Sequence, residues 1–453
     1  MSRRLGFLAA AAVCAALTAC STVASVGGAL NPFDGEKKTE TAEPREDRIS
    51  ILSFEQKLEV DPELAGRQPI VPTPVDGTDW PQPGGPADNA PVHANASGAF
   101  DVAWRRGVGA GSNENTRISS PPVIADGRIY VLDADQELFA LRADGGQRIW
   151  SKNLAPRRGR DKVALGGGVA VVDGKVYVTS GYGFVAAFDA ANGAETWRTA
   201  SESPFHAAPT VAGGRVFAVN NDSELMAFDA ATGAVQWTHQ AIAEPARILA
   251  SSSPAARSDI VVAPFASGEV VALLAANGRR LWVDALTRAG RLTSLSAIND
   301  IAGRPVLYEG VVYAASHSGI LAAIDQRSGQ RIWARGMAST QTPWVAGDAL
   351  YAVTIDGELT AIERNTGKPF WVTQLRRYKD QEDREGRIAW TGPVLVGGKL
   401  LLASSIGEGV VVNPATGAVE KTLRLGAPVY IPPVVAGGQV YLLTDEATLV
   451  ALR

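Results

Sequence analysis

The sequence predicts an all-β fold: an eight-bladed β-propeller of four-stranded antiparallel blades, closed by an N-terminal strand that completes the last blade and preceded by a flexible tether. Three observations predict it. A motif Ala-x-Asp-x-x-x-Gly-x-x-x-Trp recurs along the chain, a second pattern built on Pro and a Gly turn precedes each copy, and the two chain ends carry complementary fragments of one such unit.

The motif is complete at Ala187, Asp189, Gly193 and Trp197, at Ala227, Asp229, Gly233 and Trp237, and at Ala323, Asp325, Gly329 and Trp333. Weaker copies are Ala140 with Gly146 and Trp150, Ala272 with Gly278 and Trp282, and Ala361, Glu363, Gly367 and Trp371. A seventh keeps Asn413 and Gly417 but has Lys421 in the Trp position. An apolar run ending in Asp or Asn, then a short polar stretch with Gly, describes a hairpin: Gly takes positive φ cheaply, and the acidic or amide side chain accepts from turn N–H groups two residues on. The Trp then lies on the fourth strand. One large aromatic per unit, always at the same place, reads as a wedge between neighbouring sheets, and this is the structural role assigned to Trp104, Trp150, Trp197, Trp237, Trp282, Trp333 and Trp371.

Upstream of each copy comes a Pro, an apolar run, a Gly turn and an alternating strand, as in Pro122 to Gly127 and Tyr130, Pro209 to Gly214 and Phe217, Pro305 to Gly310 and Tyr313, and Pro393 to Gly398 and Leu401. That makes four strands per unit. Successive Trp positions differ by 46, 47, 40, 45, 51 and 38 residues, near the ~40–45 of four-stranded blades. Short strands at even spacing favour a ring over a solenoid. The last unit starts at Pro433 and stops at Arg453 after its third strand, whereas Phe100 to Arg106, with Trp104, has no third strand before it. The two fragments complete each other, giving eight blades and no long exposed edge.

In chain order, residues 1–19 hold Arg3, Arg4 and an apolar stretch too short to span a bilayer, and read as a secretory signal peptide. Leu17-Thr18-Ala19-Cys20 resembles the lipobox of bacterial lipoproteins, which implies an acylated Cys20, and Ser21 implies sorting to the outer membrane. The two cysteines are Cys14, inside the signal, and Cys20, so the folded part forms no disulfide and rests on its core. Without Arg3 and Arg4 the 43 basic residues become 41 against 47 acidic, a charge of −6, which does not indicate nucleic-acid binding. Residues 20–98 are rich in Pro and polar residues and read as a lipidated tether. Within it the stretch from Asp79 to Gly85, with Trp80, either docks on the propeller or marks where order begins, and docking is favoured. The propeller is expected over 99–453.

Four departures from the repeat are candidates for function. A basic loop, Arg157 to Lys162, precedes the second blade, and a charged insertion, Arg376 to Glu385, precedes the seventh; both read as solvated loops. Before the fourth blade lie Arg247, Ile248 and Leu249, and before the fifth Arg291, Leu292, Leu295, Ile298 and Asp300. Aliphatics beside Arg and Asp are ingredients of a protein interface, and these two loops are the expected partner-binding rim. The alternative is that Ile248, Leu249, Leu292 and Leu295 fold back as plugs over the blade ends.

The lipobox, the Pro-rich tether ending in Asp79-Trp80-Pro81-Gln82-Pro83-Gly84-Gly85 and the Trp-bearing units together resemble the BamB family of lipoproteins of the outer-membrane β-barrel assembly machinery. The resemblance implies a non-catalytic scaffold, without cofactor or metal, that binds the periplasmic (POTRA) domains of the central barrel subunit BamA and aids insertion of nascent barrels. In that family the partner-binding loops precede the fourth and fifth blades. Asp300 matches the first of two family acidic residues and Ala302 replaces the second; Ile248 keeps an aliphatic position, and Leu249 stands where some members carry Arg.

The same Trp pattern also resembles the propellers of pyrroloquinoline-quinone dehydrogenases. Those share a vicinal disulfide beside the cofactor, which this chain cannot form, and it has no Cys-x-x-Cys-His haem segment. His93, His206, His239 and His317 show no metal-ligand spacing. A third reading is a free periplasmic chaperone, pairing a blade edge with a client strand, or a ligand-binding propeller, acting without the assembly machinery.

Overall fold

The structure, a computed structural model, describes residues 58–77, 79–156, 164–242, 252–287 and 300–453. Cys20 and the expected signal peptide lie outside the described residues. The described chain is built from strands, with one 3-10 turn at Pro62–Leu64.

Eight four-stranded antiparallel sheets follow one another. Blade 1 consists of Val123–Ala125, Arg128–Leu132, Glu137–Arg142 and Arg148–Asn153. Blade 2 runs from Gly167–Val172 to Glu195–Ala200, blade 3 from Thr210–Ala212 to Val235–Gln240, and blade 4 from Ala255–Ala256 to Arg280–Ala285. Blade 5 runs from Val306–Tyr308 to Arg331–Gly336, blade 6 from Trp344–Ala346 to Pro369–Gln374, and blade 7 from Trp390–Val396 to Val419–Arg424. Blade 8 takes Val434–Ala436, Gln439–Leu443 and Thr448–Leu452 from the C-terminus and Val102–Gly107 from the N-terminal side. This is the closure the chain ends predicted. Trp104 pairs with Ala451, and Asp101 and Arg453 exchange backbone hydrogen bonds of 2.8 and 2.9 Å.

The hydrophobic core is a succession of interfaces between neighbouring blades, so that middle strands are covered on both faces. Val123, Tyr130 and Leu138 of blade 1 pack with Val169, Val176 and Phe188 of blade 2; Tyr177 of blade 2 packs with Val216 and Phe228 of blade 3. Second strands were expected to alternate, and they do not. Lys175–Ser180 is buried from its second residue to its last, because a blade lies between two others and has no solvent face except on its fourth strand. The fourth strands are the outer ones and alternate, as in Glu195–Ala200.

Each motif residue has a place in this packing. The Ala pairs across the sheet with the Trp, as in Ala187 with Trp197 and Ala227 with Trp237, leaving room for the indole. The Trp N–H donates to a turn carbonyl of the next blade: Trp150 to Ala190, Trp197 to Ala230, Trp237 to Ala275, Trp282 to Gln326, Trp333 to Arg364 and Trp371 to Pro414, at 2.8–3.1 Å. The wedge reading is thus observed at these six seams. The Gly has a second reason besides positive φ. A Cβ on Gly233 would stand 2.4 Å from Cε3 of Trp197, and the other motif glycines lie equally close to the preceding blade's indole. Trp104 has the aromatic contact, 6.0 Å from Tyr441, but its buried N–H finds no acceptor among the described residues. Lys421, which replaces the Trp in blade 7, donates to Ala99 O at 2.6 Å and lies 3.2 Å from Asp101 Oδ1, so the seam onto the composite blade is polar.

The tether expectation is corrected over residues 58–77 and 79–98. This stretch is a strap packed across one face of the ring. Trp80 exchanges backbone bonds with Ile124 of blade 1, Pro81 O accepts from Val171 of blade 2, and the Gln82 amide bonds both ways with Val211 of blade 3. Ala87 and Asp88 reach Ala256 and Leu307 of blades 4 and 5, Trp80 stacks on Trp344 of blade 6 at 6.2 Å, and Ala94 bridges Val396 of blade 7. All are contacts at first strands and the turns that follow them. The reason is that the Pro-rich backbone, poor in donors, still offers carbonyls, side-chain amides and the Trp80 N–H to inner-strand groups that no fifth strand would pair. Docking at Trp80, the favoured expectation, is observed; the indole is 5% exposed.

The charged insertion before blade 7 is also not a loop. Tyr378–Asp380 and Glu385–Arg387 form an antiparallel hairpin, with Arg377 and Arg387 converging on the Asp356 carboxylate.

Candidate functional site

In a four-stranded antiparallel blade, the turns after the first and third strands lie at one end. The turns after the second strand, and the links to the next blade, lie at the other. The strap occupies the first end, the face where a Cβ on Gly347 would meet Ile70 O and one on Gly397 would meet Ala96 O. The described ends of the links before blades 4 and 5 therefore lie at the opposite end of the blades, which the strap does not cover.

Arg247, Ile248, Leu249, Arg291 and Leu292, expected as partner-binding residues, lie outside the described residues, as does the whole basic loop, Arg157 to Lys162, before blade 2. The roots of the two partner loops are described, and they are tied together. Ser252, just after the first loop, donates its hydroxyl to Gly303 O at 3.0 Å, just after the second. Ile242, just before the first loop, is 59% exposed. Asp300 is 8% exposed and its carbonyl accepts from His317 N–H at 3.0 Å. Together with His206, Asn220 and Ser252 it lines a void of about 50 Å³. Asp300 thus anchors the root of its loop, and its side chain does not stand on the surface of the rim.

At the ring axis, on the same face, a funnel of about 360 Å³ opens. Its wall comes from residues just before or at the start of first strands, among them Arg117, Ile118, His206, Arg304, Gln341, Trp390 and Ile431. The strap blocks its far end, since Arg304, Gln341 and Thr342 also border a void of about 40 Å³ closed by Trp80, Gly84 and Pro91. Burial pulls the Arg304 guanidinium down to about 10, leaving it charged at neutral pH. No cluster of three or more His, Cys, Asp or Glu able to hold a metal ion occurs among the described residues.

Sequence reading passed over Arg304, although a signal was available. The residue before the repeat's Pro is Pro121, Ala208, Ser253, Thr342, Gly392 or Pro432 in other units and is charged only at Arg304. That position faces the axis, so a charge there is aimed inward.

The fold defines an eight-bladed β-propeller of four-stranded antiparallel blades. A family model described as outer membrane protein assembly factor BamB matches residues 134–373 and 379–453. The outer membrane protein assembly factor BamB of Salmonella typhimurium is 33% identical over 355 residues, 78% of this chain and 88% of its own. That of Escherichia coli is 32% identical over the same shares. The crystal structure of BamB from Moraxella catarrhalis superposes with a TM-score of 0.64 at 19% identity, covering 78% of this chain and all of that one. A europium-containing methanol dehydrogenase reaches 0.65 at 14%, covering 81% and 89%, a likeness of fold alone. The chain belongs to the BamB family of outer membrane protein assembly factors.

Proposed function

We propose that this chain is a lipid-anchored, non-catalytic scaffold on the periplasmic face of the outer membrane, which binds the POTRA domains of BamA through the loops before blades 4 and 5. The observation that carries the reading is the division of faces. The strap spends one face of the ring on the chain's own packing, and the two loops with aliphatic and Arg residues leave the other from roots joined by Ser252 and Gly303. Membership in a family of outer membrane protein assembly factors supports a partner within that assembly. A rigid ring presenting two neighbouring loops suits recognition without chemistry.

The test is co-purification from detergent-solubilised outer membrane with a tagged parent and a Leu249→Glu/Leu292→Glu variant. Asp300 is left intact because a buried anchor confounds folding with contact. The parent recovers BamA and the folded variant does not; loss of recovery by neither protein discards the rim. Cys20→Ser releases the protein from the membrane, and membrane retention of that variant refutes the anchor.

A further inference from the structure

The funnel on the loop face holds a cation without an ion-pair partner among the described residues. Arg304 is 6% exposed, and its side chain enters no ion pair among the described residues. Its Nε is buried without a hydrogen-bond partner among them, while its backbone N–H is satisfied by Thr342 Oγ1 at 3.1 Å. A buried guanidinium without a counter-charge is costly, and an apolar side chain of similar volume is usually the more stable choice. Burial alone accounts for the fall of its pKa, with no carboxylate contributing.

The surroundings are arranged for an anion. Gln341 Oε1 accepts from Thr391 Oγ1 at 3.0 Å and from Gly392 N–H at 3.3 Å, which leaves its NH₂ with one long bond of 3.4 Å to Thr340. Asp445, the carboxylate on the wall, is engaged by the Ser112 hydroxyl at 2.5 Å. Arg117 stands exposed at the same wall. The 360 Å³ space falls in the size range of small-molecule sites, and its blind end keeps the guanidinium out of bulk water.

We propose that the funnel is a binding site for a small organic carboxylate, which pairs with the Arg304 guanidinium through the planar, two-pronged geometry that matches carboxylate to Arg. The site lies on the axis and does not depend on the partner reading of the rim.

The experiment titrates acetate, succinate and citrate into the full-length parent by calorimetry, at ionic strength matched with sodium chloride. Succinamide serves as the uncharged control and inorganic phosphate as the second anion. At least one carboxylate binds with a stoichiometry of one and raises the melting temperature, succinamide does not, and phosphate binds more weakly. Arg304→Gln weakens the carboxylate by roughly tenfold or more and Arg304→Lys by less. Arg304→Met melts higher than the parent when no ligand is added. Binding of none of the three acids in the tens-of-millimolar range, equal binding by a folded Arg304→Gln variant, or phosphate binding as tightly as the best carboxylate overturns the proposal. If Arg304→Gln does not fold, the comparison of acids with succinamide on the parent decides.

Discussion

The two faces of the ring are built from the same repeats and are treated oppositely. On one, residues 58–98 cross the blades and consume the inner-strand donors and acceptors, with Trp80, Gln82, Asn89 and His93 buried to 3–5% exposure. On the other, the links between blades surround an open funnel, and the loops before blades 4 and 5 carry Ile248, Leu249 and Leu292 with nothing in the repeat that requires them. The difference teaches that a symmetric repeat does not choose a binding face; the flanking chain does, by filling one.

Of the two faces, the strap face holds the additional packing, and substitutions there are expected to cost more than on the loop face. Trp80→Ala removes a buried indole that stacks on Trp344 and donates to Pro83 O at 3.3 Å, and costs about 3–5 kcal/mol in urea unfolding. An unchanged midpoint breaks the comparison. Asn89, at φ 55, donates to Pro254 O at 3.3 Å and to Pro305 O at 2.9 Å across two blades. Asn89→Ala costs about 1–3 kcal/mol, read by the same unfolding curve.

His93 sharpens the comparison through pH. Its Nδ1 donates to Pro72 O at 2.7 Å and its Nε2 accepts from Gly398 N–H at 2.9 Å, a pair of bonds that requires the neutral ring. Burial holds its pKa below the ordinary 6.5, against the smaller opposing effect of the Pro72 bond. A depressed folded pKa gives stability that is full above the unfolded value and lost as pH falls through the folded one. Limited proteolysis of the strap should accelerate as pH falls below the ordinary histidine value of 6.5 in the parent, and this extra acid sensitivity should vanish in His93→Gln. The smallest stability effect is expected on the other face. Leu249→Glu/Leu292→Glu stays within about 0.5 kcal/mol of the parent per site, and a larger loss in unfolding would mean that these side chains plug the blade ends.

What the sequence made legible follows from repetition. The Ala, Gly and Trp of each unit meet the same neighbour in the next, so one physical requirement is written seven times and the blades, their order and the closing strand could be read directly. The strap was not legible as structure because its partners are inner-strand backbone groups, which leave no mark on side-chain identity; only Trp80 signalled docking. The hairpin around Asp356 was missed since its Arg partners resemble any solvated charge run. Asp300 was placed in the right link but not in its buried setting, because a carboxylate's burial depends on neighbours from blades 3 and 5 that no local pattern brings together. Arg304 broke the repeat at one position and was overlooked beside louder departures.

The central claim is that the loop face, and not the strap face, receives the partner. Hydrogen exchange of the full chain, alone and with the purified periplasmic domains of BamA, tests it directly. New protection confined to residues 243–251 and 288–300, with the strap unchanged, is the predicted result. Protection appearing over 58–98 or the turns beneath it, with both loops exchanging as in the free chain, would contradict the account.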